Sequence, residues 1–200
     1  MKLFDSLPDG VKVGKRFFPC DFDFRKVLKM LDTMQREDLI PDARDYLCLK
    51  CVISRRIPSK IVSALYKEVC SILFEERPES GGKRLTSYDQ DAGLIRSAFR
   101  QVYGIDLFRD KLHWLEFTEL LQNLPDGNRY EEIISIRARP IPAPNKYNQK
   151  EREWLIQAKQ SFALHLSDRE QEKKYDSDVG KIFAGLISMI PKEVTNNNGE

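Results

Sequence analysis

Apolar positions recur along most of this chain at intervals of three and four residues, the spacing that lines one face of an α-helix. Only near the N-terminus does the period shorten: Val11-Lys12-Val13-Gly14-Lys15-Arg16-Phe17-Phe18 alternates around a glycine-containing turn and predicts a short β-hairpin. Asp21 or Asp23 then caps a helix carrying Phe24, Val27, Leu28, Leu31 and Met34 as one stripe. Pro41 suits a first helical turn and opens a segment to about Ile53, apolar on most sides at Tyr46, Leu47, Leu49, Val52 and Ile53, which is expected to be central. Pro58 opens the next, with Val62, Leu65, Val69, Ile72 and Leu73 at helical spacing, ending in Arg77-Pro78-Glu79-Ser80-Gly81-Gly82-Lys83, a loop by composition.

Ser87 followed by Gln90 reads as a capping box, with the hydroxyl accepting from the Gln90 amide and the Gln90 side chain returning to Ser87. The helix it starts carries Ile95, Ala98, Phe99 and Val102, holds Asp89 and Asp91 in its first turn where the helix dipole favours them, and stops at Gly104. Trp114, Phe117, Leu121 and Leu124 form a second stripe ending at Pro125-Asp126-Gly127, and the two helices are expected to pack as a hairpin. Asn128 with Glu131 starts another helix bearing Tyr130, Ile133, Ile134 and Arg137. Leu7-Pro8-Asp9-Gly10 and Leu124-Pro125-Asp126-Gly127 share four residues, which is turn chemistry and not a repeat.

Pro140-Ile141-Pro142-Ala143-Pro144 forbids a helix across it and favours stiff polyproline geometry. The pattern therefore predicts a mainly α protein, a compact helical domain with a short N-terminal β-hairpin and a C-terminal helix pair: core over 1–139, proline-rich linker over 140–146, C-terminal helices over 147–191 and a disordered tail over 192–200. The first late helix carries Trp154, Leu155, Ala158, Phe162 and Leu166, the second Ile182, Phe183, Leu186 and Ile190. Such a pair outside the core needs a partner; Trp154 and Phe162 read either as core residues of that subdomain or as part of a groove for an amphipathic helix, and in the second reading Trp154, Phe162, Phe183 and Leu186 are the expected partner-binding residues.

Charge changes this picture only by exclusion. Lys and Arg number 33 against 31 Asp and Glu, with the signs interspersed, which argues against the one-sided cationic surface that nucleic acid requires. No apolar run approaches the ~18 to 20 residues needed to cross a bilayer, and the opening Met1-Lys2-Leu3-Phe4-Asp5-Ser6-Leu7-Pro8 has no signal-peptide core. The expected location is the cytosol, with Cys20, Cys48, Cys51 and Cys70 as reduced thiols.

Candidate chemistry is sparse. Cys48 and Cys51 form a C-x-x-C flanked by apolar helix, without the second ligand pair of a zinc site, and read as buried thiols acting as small hydrophobes. His113 and His165 lie near no nucleophile pattern, and His113 beside Trp114 reads as a hydrogen-bonded core or boundary residue. The pairs Asp21/Asp23 and Asp89/Asp91 are explained by helix starts before Mg²⁺ is invoked. Neither nucleotide-binding glycine motif is present, so no catalytic, cofactor or metal residue is assigned.

Several ordered segments carry a kinship. These are Leu7-Pro8 before the hairpin, Asp21-Phe22-Asp23-Phe24-Arg25, Ser87-Tyr88-Asp89-Gln90-Asp91 with Phe99, Tyr103-Gly104-Ile105-Asp106-Leu107, Leu112-His113-Trp114 with Phe117, and Ile133-Ile134 with Arg137. Through them the chain, over roughly residues 5 to 140, resembles the bacteriophage gene-product-fifteen family, encoded in the tail-morphogenesis gene cluster of phages and prophages of Gram-positive bacteria. The extended C-terminal part and the C-x-x-C fall outside the resemblance. It implies a non-enzymatic protein of the bacterial host cytosol, a tail assembly chaperone that covers the tape-measure protein until tail tube protein displaces it. The alternative it implies is a virion structural subunit of the neck or tail-completion kind, a homo-oligomer forming a ring.

Overall fold

In the computed structural model the described residues are 5–74 and 84–165, and they form a β-hairpin followed by seven α-helices, the mainly α class that the hydrophobic pattern predicts. The chain divides into two units, Met1–Phe162 and Ala163–Glu200. The expected second C-terminal helix and the tail lie outside the described residues.

Strands β1 (Gly10–Val13) and β2 (Arg16–Pro19) pair antiparallel with Val11 opposite Phe18. Those two side chains are buried, while Phe17 points outward at 47% exposure, as the two-residue period requires. Gly14 turns the hairpin at φ 60°. The repeated Leu-Pro-Asp-Gly tetrapeptide has two local reasons: Gly127 takes φ 93°, whereas a Cβ on Gly10 would sit 2.3 Å from the Phe18 carbonyl oxygen.

Helix α1 (Phe24–Met34) begins at Asp23, whose carboxylate accepts the Arg25 amide at 3.0 Å, and buries Phe24, Val27 and Met30. Helix α2 (Pro41–Val52) returns antiparallel to it, since the Asp21 amide donates to the Val52 carbonyl at 2.8 Å. Cys48, Leu49 and Val52 are buried, but Tyr46 and Leu47 remain 37% and 39% exposed. α2 thus lies between α1 and α3, the central position its composition suggests, with only Tyr46 and Leu47 turned partly outward. A 3-10 turn at Ser59–Ile61 leads from Pro58 into α3 (Val62–Leu73), which packs on α2 and β1.

Helix α4 (Ala92–Tyr103) starts later than the capping box predicts. The Ser87 hydroxyl does accept the Gln90 amide at 3.3 Å, but the Ser87 amide donates to the Asp91 carboxylate at 2.9 Å, and residues 88–91 form a turn. Gly104, at φ 70°, ends the helix as expected. Helices α5 (Trp114–Gln122), α6 (Arg129–Ala138) and α7 (Gln149–Ser161) follow. α4 runs along α6 and also packs on α5 through its side chains. Phe99 stacks on Phe117 at 5.3 Å, and the Tyr103 hydroxyl donates to the Leu120 carbonyl at 2.9 Å.

Beyond the irregular Pro140–Lys146 segment the chain folds back. Asn145 and Asn148 bracket a turn, Arg152 donates to the Pro142 carbonyl, and α7 packs on α6 with Leu155 fully buried. α7 therefore belongs to the Met1–Phe162 unit.

Candidate functional site

Three of the segments that carry the kinship, Leu7-Pro8, the Asp21-to-Arg25 run and Leu112-His113-Trp114, meet at one junction. Phe24 donates its amide to the Leu112 carbonyl at 3.0 Å and Trp114 donates to the Phe22 carbonyl at 2.8 Å, so the entries to α1 and α5 form a backbone bridge. Arg25 braces it, pairing through Nε and Nη2 with both Asp23 carboxylate oxygens at 2.9 Å and donating to the Phe108 and Asp110 carbonyls at 3.3 and 3.0 Å. The Trp114 indole N–H satisfies the Leu73 carbonyl at the end of α3 at 3.0 Å.

His113 has both ring nitrogens occupied. Nδ1 accepts the Leu115 amide at 3.1 Å, which makes His113 the N-cap of α5, and this tautomer leaves Nε2–H to donate to the Pro8 carbonyl at 3.1 Å. Neither nitrogen is available as a general base in this arrangement, in keeping with the boundary role read from its position. Leu7-Pro8 and Leu112-His113-Trp114 belong together because one is the other's hydrogen-bond partner.

The carboxylates near the junction are held as structural anions. The Lys26 ammonium at 2.5 Å is the chief cause that lowers the Asp21 carboxyl below its ordinary value. Burial acts to raise Asp23, but the hydrogen bonds from Arg25 outweigh it and hold that carboxyl low as well. Asp91 is fully buried, at 1% exposure, and is gripped by Arg137 at 2.8 and 2.9 Å. Arg137 also donates to the carbonyls of Leu85 at 2.9 Å and Phe162 at 2.6 Å, tying the turn before α4, helix α6 and the end of α7 to one guanidinium. Sequence reading placed Asp91 only as a first-turn acid; its buried partner lies too far along the chain for spacing to reveal.

The four cysteines are free thiols. Burial pushes Cys20 and Cys48 up to about 11, and Cys48 lies wholly inside the core with its sulfur 3.8 Å from the Met30 carbonyl. Cys51 is half-buried, with its thiol on the Leu47 carbonyl at 3.4 Å. Among the described residues no group of three or more His, Cys, Asp and Glu is placed to hold a metal ion.

The outer surface has a different character. Of the expected partner-binding residues, Trp154 stands 53% exposed on α7, and Phe162 is half-buried beneath the Arg129 guanidinium, 5.2 Å from its ring centre. Phe183 and Leu186 lie outside the described residues. Tyr147 at 92% and Ile141 at 45% exposure flank the start of α7. Two further apolar side chains were missed: Ile40, 72% exposed before Pro41, and Phe108, 68% exposed after buried Leu107. Their signal was a large apolar residue inside a polar connection. Phe108 walls a groove of about 420 Å³ lined by Arg96, Ser97, Arg100, Gln101 and Asp106.

Fold and motifs together define a small, mainly α protein whose polar motif residues act as ties between elements. The chain belongs to the Bacteriophage Gp15 protein family, whose model matches residues 3–164. That match takes in α7, which the resemblance over roughly residues 5 to 140 left out. Membership suggests a role in phage structure or morphogenesis. No curated protein and no solved structure matches the chain. Among the described residues no helix is long and apolar enough to cross a membrane.

Proposed function

We propose that this protein is a non-enzymatic tail assembly chaperone of the host cytosol, which binds amphipathic helices of the tape-measure protein reversibly and yields them to tail tube protein. The observation that carries the reading is Trp154, 53% exposed on a helix whose next residue, Leu155, is completely buried. A rigidly mounted, solvent-facing indole is what an apolar helix needs as an anchor, and tryptophan is among the side chains that dominate interface energies. Tyr147 and Ile141, close by in sequence and also exposed, extend the apolar surface.

The test is co-expression of the full chain with segments of the phage's tape-measure protein and light-scattering mass of what co-purifies. A soluble complex is expected, with Trp154→Ala weakening it by about 2 kcal/mol or more, roughly thirty-fold in Kd. Failure of every segment to co-purify would sink the reading. A stable closed ring indifferent to the tape-measure protein would establish the neck or tail-completion subunit instead.

A further inference from the structure

Two exposed apolar side chains sit at opposite ends of helix α1. The Phe108 carbonyl is bound by Arg25 in the first turn of that helix, whereas Ile40 precedes α2, whose far end returns to Asp21. With 11 residues in α1, the two ends are about 16 Å apart. Phe108 and Ile40 therefore stand too far apart to cover each other within one chain.

Their surroundings are opposite in charge. From Asp32 to Asp45 the chain carries five carboxylates, Asp32, Glu37, Asp38, Asp42 and Asp45, against Arg36 and Arg44. Around Phe108 the exposed face of α4 presents Arg96 and Arg100 and no carboxylate. Arg100 is engaged by Asp106 at 2.6 Å, but Arg96 lies over the Phe108 ring, 4.6 Å from its centre, with no carboxylate partner among the described residues. Gly93 and Ser97 leave the helix surface low between these side chains, and a Cβ on Gly93 would meet nothing within 4 Å. One end of α1 thus offers an apolar knob flanked in sequence by Glu37, Asp38 and Asp42, of which Asp38 is paired with Arg36 at 2.5 Å, and the other a groove with Arg96 over an aromatic wall.

We propose that copies of the chain associate head to tail, with Ile40 and its flanking carboxylates of one copy seated in the groove of Arg96, Arg100 and Phe108 of the next. Two different patches meet, so the contact is heterologous and repeats into a ring or an open array. Aromatic and arginine side chains at the centre with charges at the rim give weak, salt-sensitive association. The proposal does not depend on the tape-measure reading and is tested on the protein alone.

The experiment is sedimentation and light scattering of the full chain from micromolar to millimolar concentration, at low and high salt. The weight-average mass is expected to rise beyond twice that of one chain and to fall back as salt is added. Arg96→Glu and Ile40→Lys, both at exposed positions and checked for intact circular dichroism, should each give single chains. An equimolar mixture of the two variants retains one good knob and one good groove, and should form pairs and nothing larger. A wild-type chain that stays single throughout, association that survives both variants, or a mixture that fails to pair would overturn the proposal. Trp154→Ala should leave this association unchanged, which separates it from tape-measure binding.

Discussion

Asp91 shows how one residue acquires a role that its neighbours do not advertise. Ser87 and Gln90 match a capping box, yet the carboxylate one position further on takes the Ser87 amide, because it is also held from the far side by Arg137. The side chains of the pair are 2% and 10% exposed, so removing either partner leaves an uncompensated buried charge. Asp91→Asn is expected to cost about 3–5 kcal/mol in urea unfolding. Asp91→Leu combined with Arg137→Met should recover a large part of that loss, and a double variant no better than the singles would contradict the account. Asp23 gives a pH dependence with a definite sign. Its folded-state carboxyl is held below the ordinary 3.8, so its contribution is fully present above that value and is lost as pH falls through the lower folded one. Acid titration of stability should show this loss for the wild type and a shallower one for Asp23→Asn. Cys48, buried and with its thiol pushed up to about 11, should resist maleimide at neutral pH until the protein is unfolded, as mass spectrometry of the labelled chain would show.

At the scale of elements, the apolar period made α1, α3, α4, α5 and α6 legible, with the Asp23 and Asn128 caps and the Gly104 stop where local chemistry put them. Local signals failed where a distant group competes. α2 is central as its composition suggests, but the coverage of its residues was not legible, because periodicity records which residues are apolar and not which are covered: Tyr46 and Leu47 look like core residues and are 37% and 39% exposed. The placement of α7 was hidden for another reason. Its docking rests on Leu155 and on the carbonyls that Arg137 and Lys159 join, Phe162 and Arg137 itself, none of which a proline-rich stretch foretells. Deleting the residues after Pro144 should therefore lower the thermal midpoint of the remaining chain, where a freely hanging segment would leave it unchanged. Leu155→Ala should alone cost about 2–5 kcal/mol. For the same reason point substitutions at exposed Trp154 are a cleaner probe of partner binding than truncation.

Across the Met1–Phe162 unit the aromatic residues form one continuous centre. Phe117 stacks on Phe24 at 4.7 Å, on Phe99 at 5.3 Å and on Trp114 at 5.8 Å, so three helices, α1, α4 and α5, converge on a single ring. The formal charge of +2, read as interspersed signs, does not reveal that Ile40 and Phe108 fall toward opposite ends of α1, which only the antiparallel return of α2 and the tie of Arg25 to Phe108 make visible. The bridge between the α1 and α5 entries has a consequence in time. The Pro8 carbonyl and His113 are 105 residues apart in sequence, and Arg25 and Phe108 are 83 apart, so the first helix and the hairpin cannot be locked before α5 has been synthesised. Contacts of such long sequence separation are made late, and a chain emerging from the ribosome keeps its α1 entry unfastened until α5 is made. Limited proteolysis of stalled nascent chains should find α1 open to cleavage when translation stops before Leu112 and protected once Phe117 and the rest of α5 have left the ribosome.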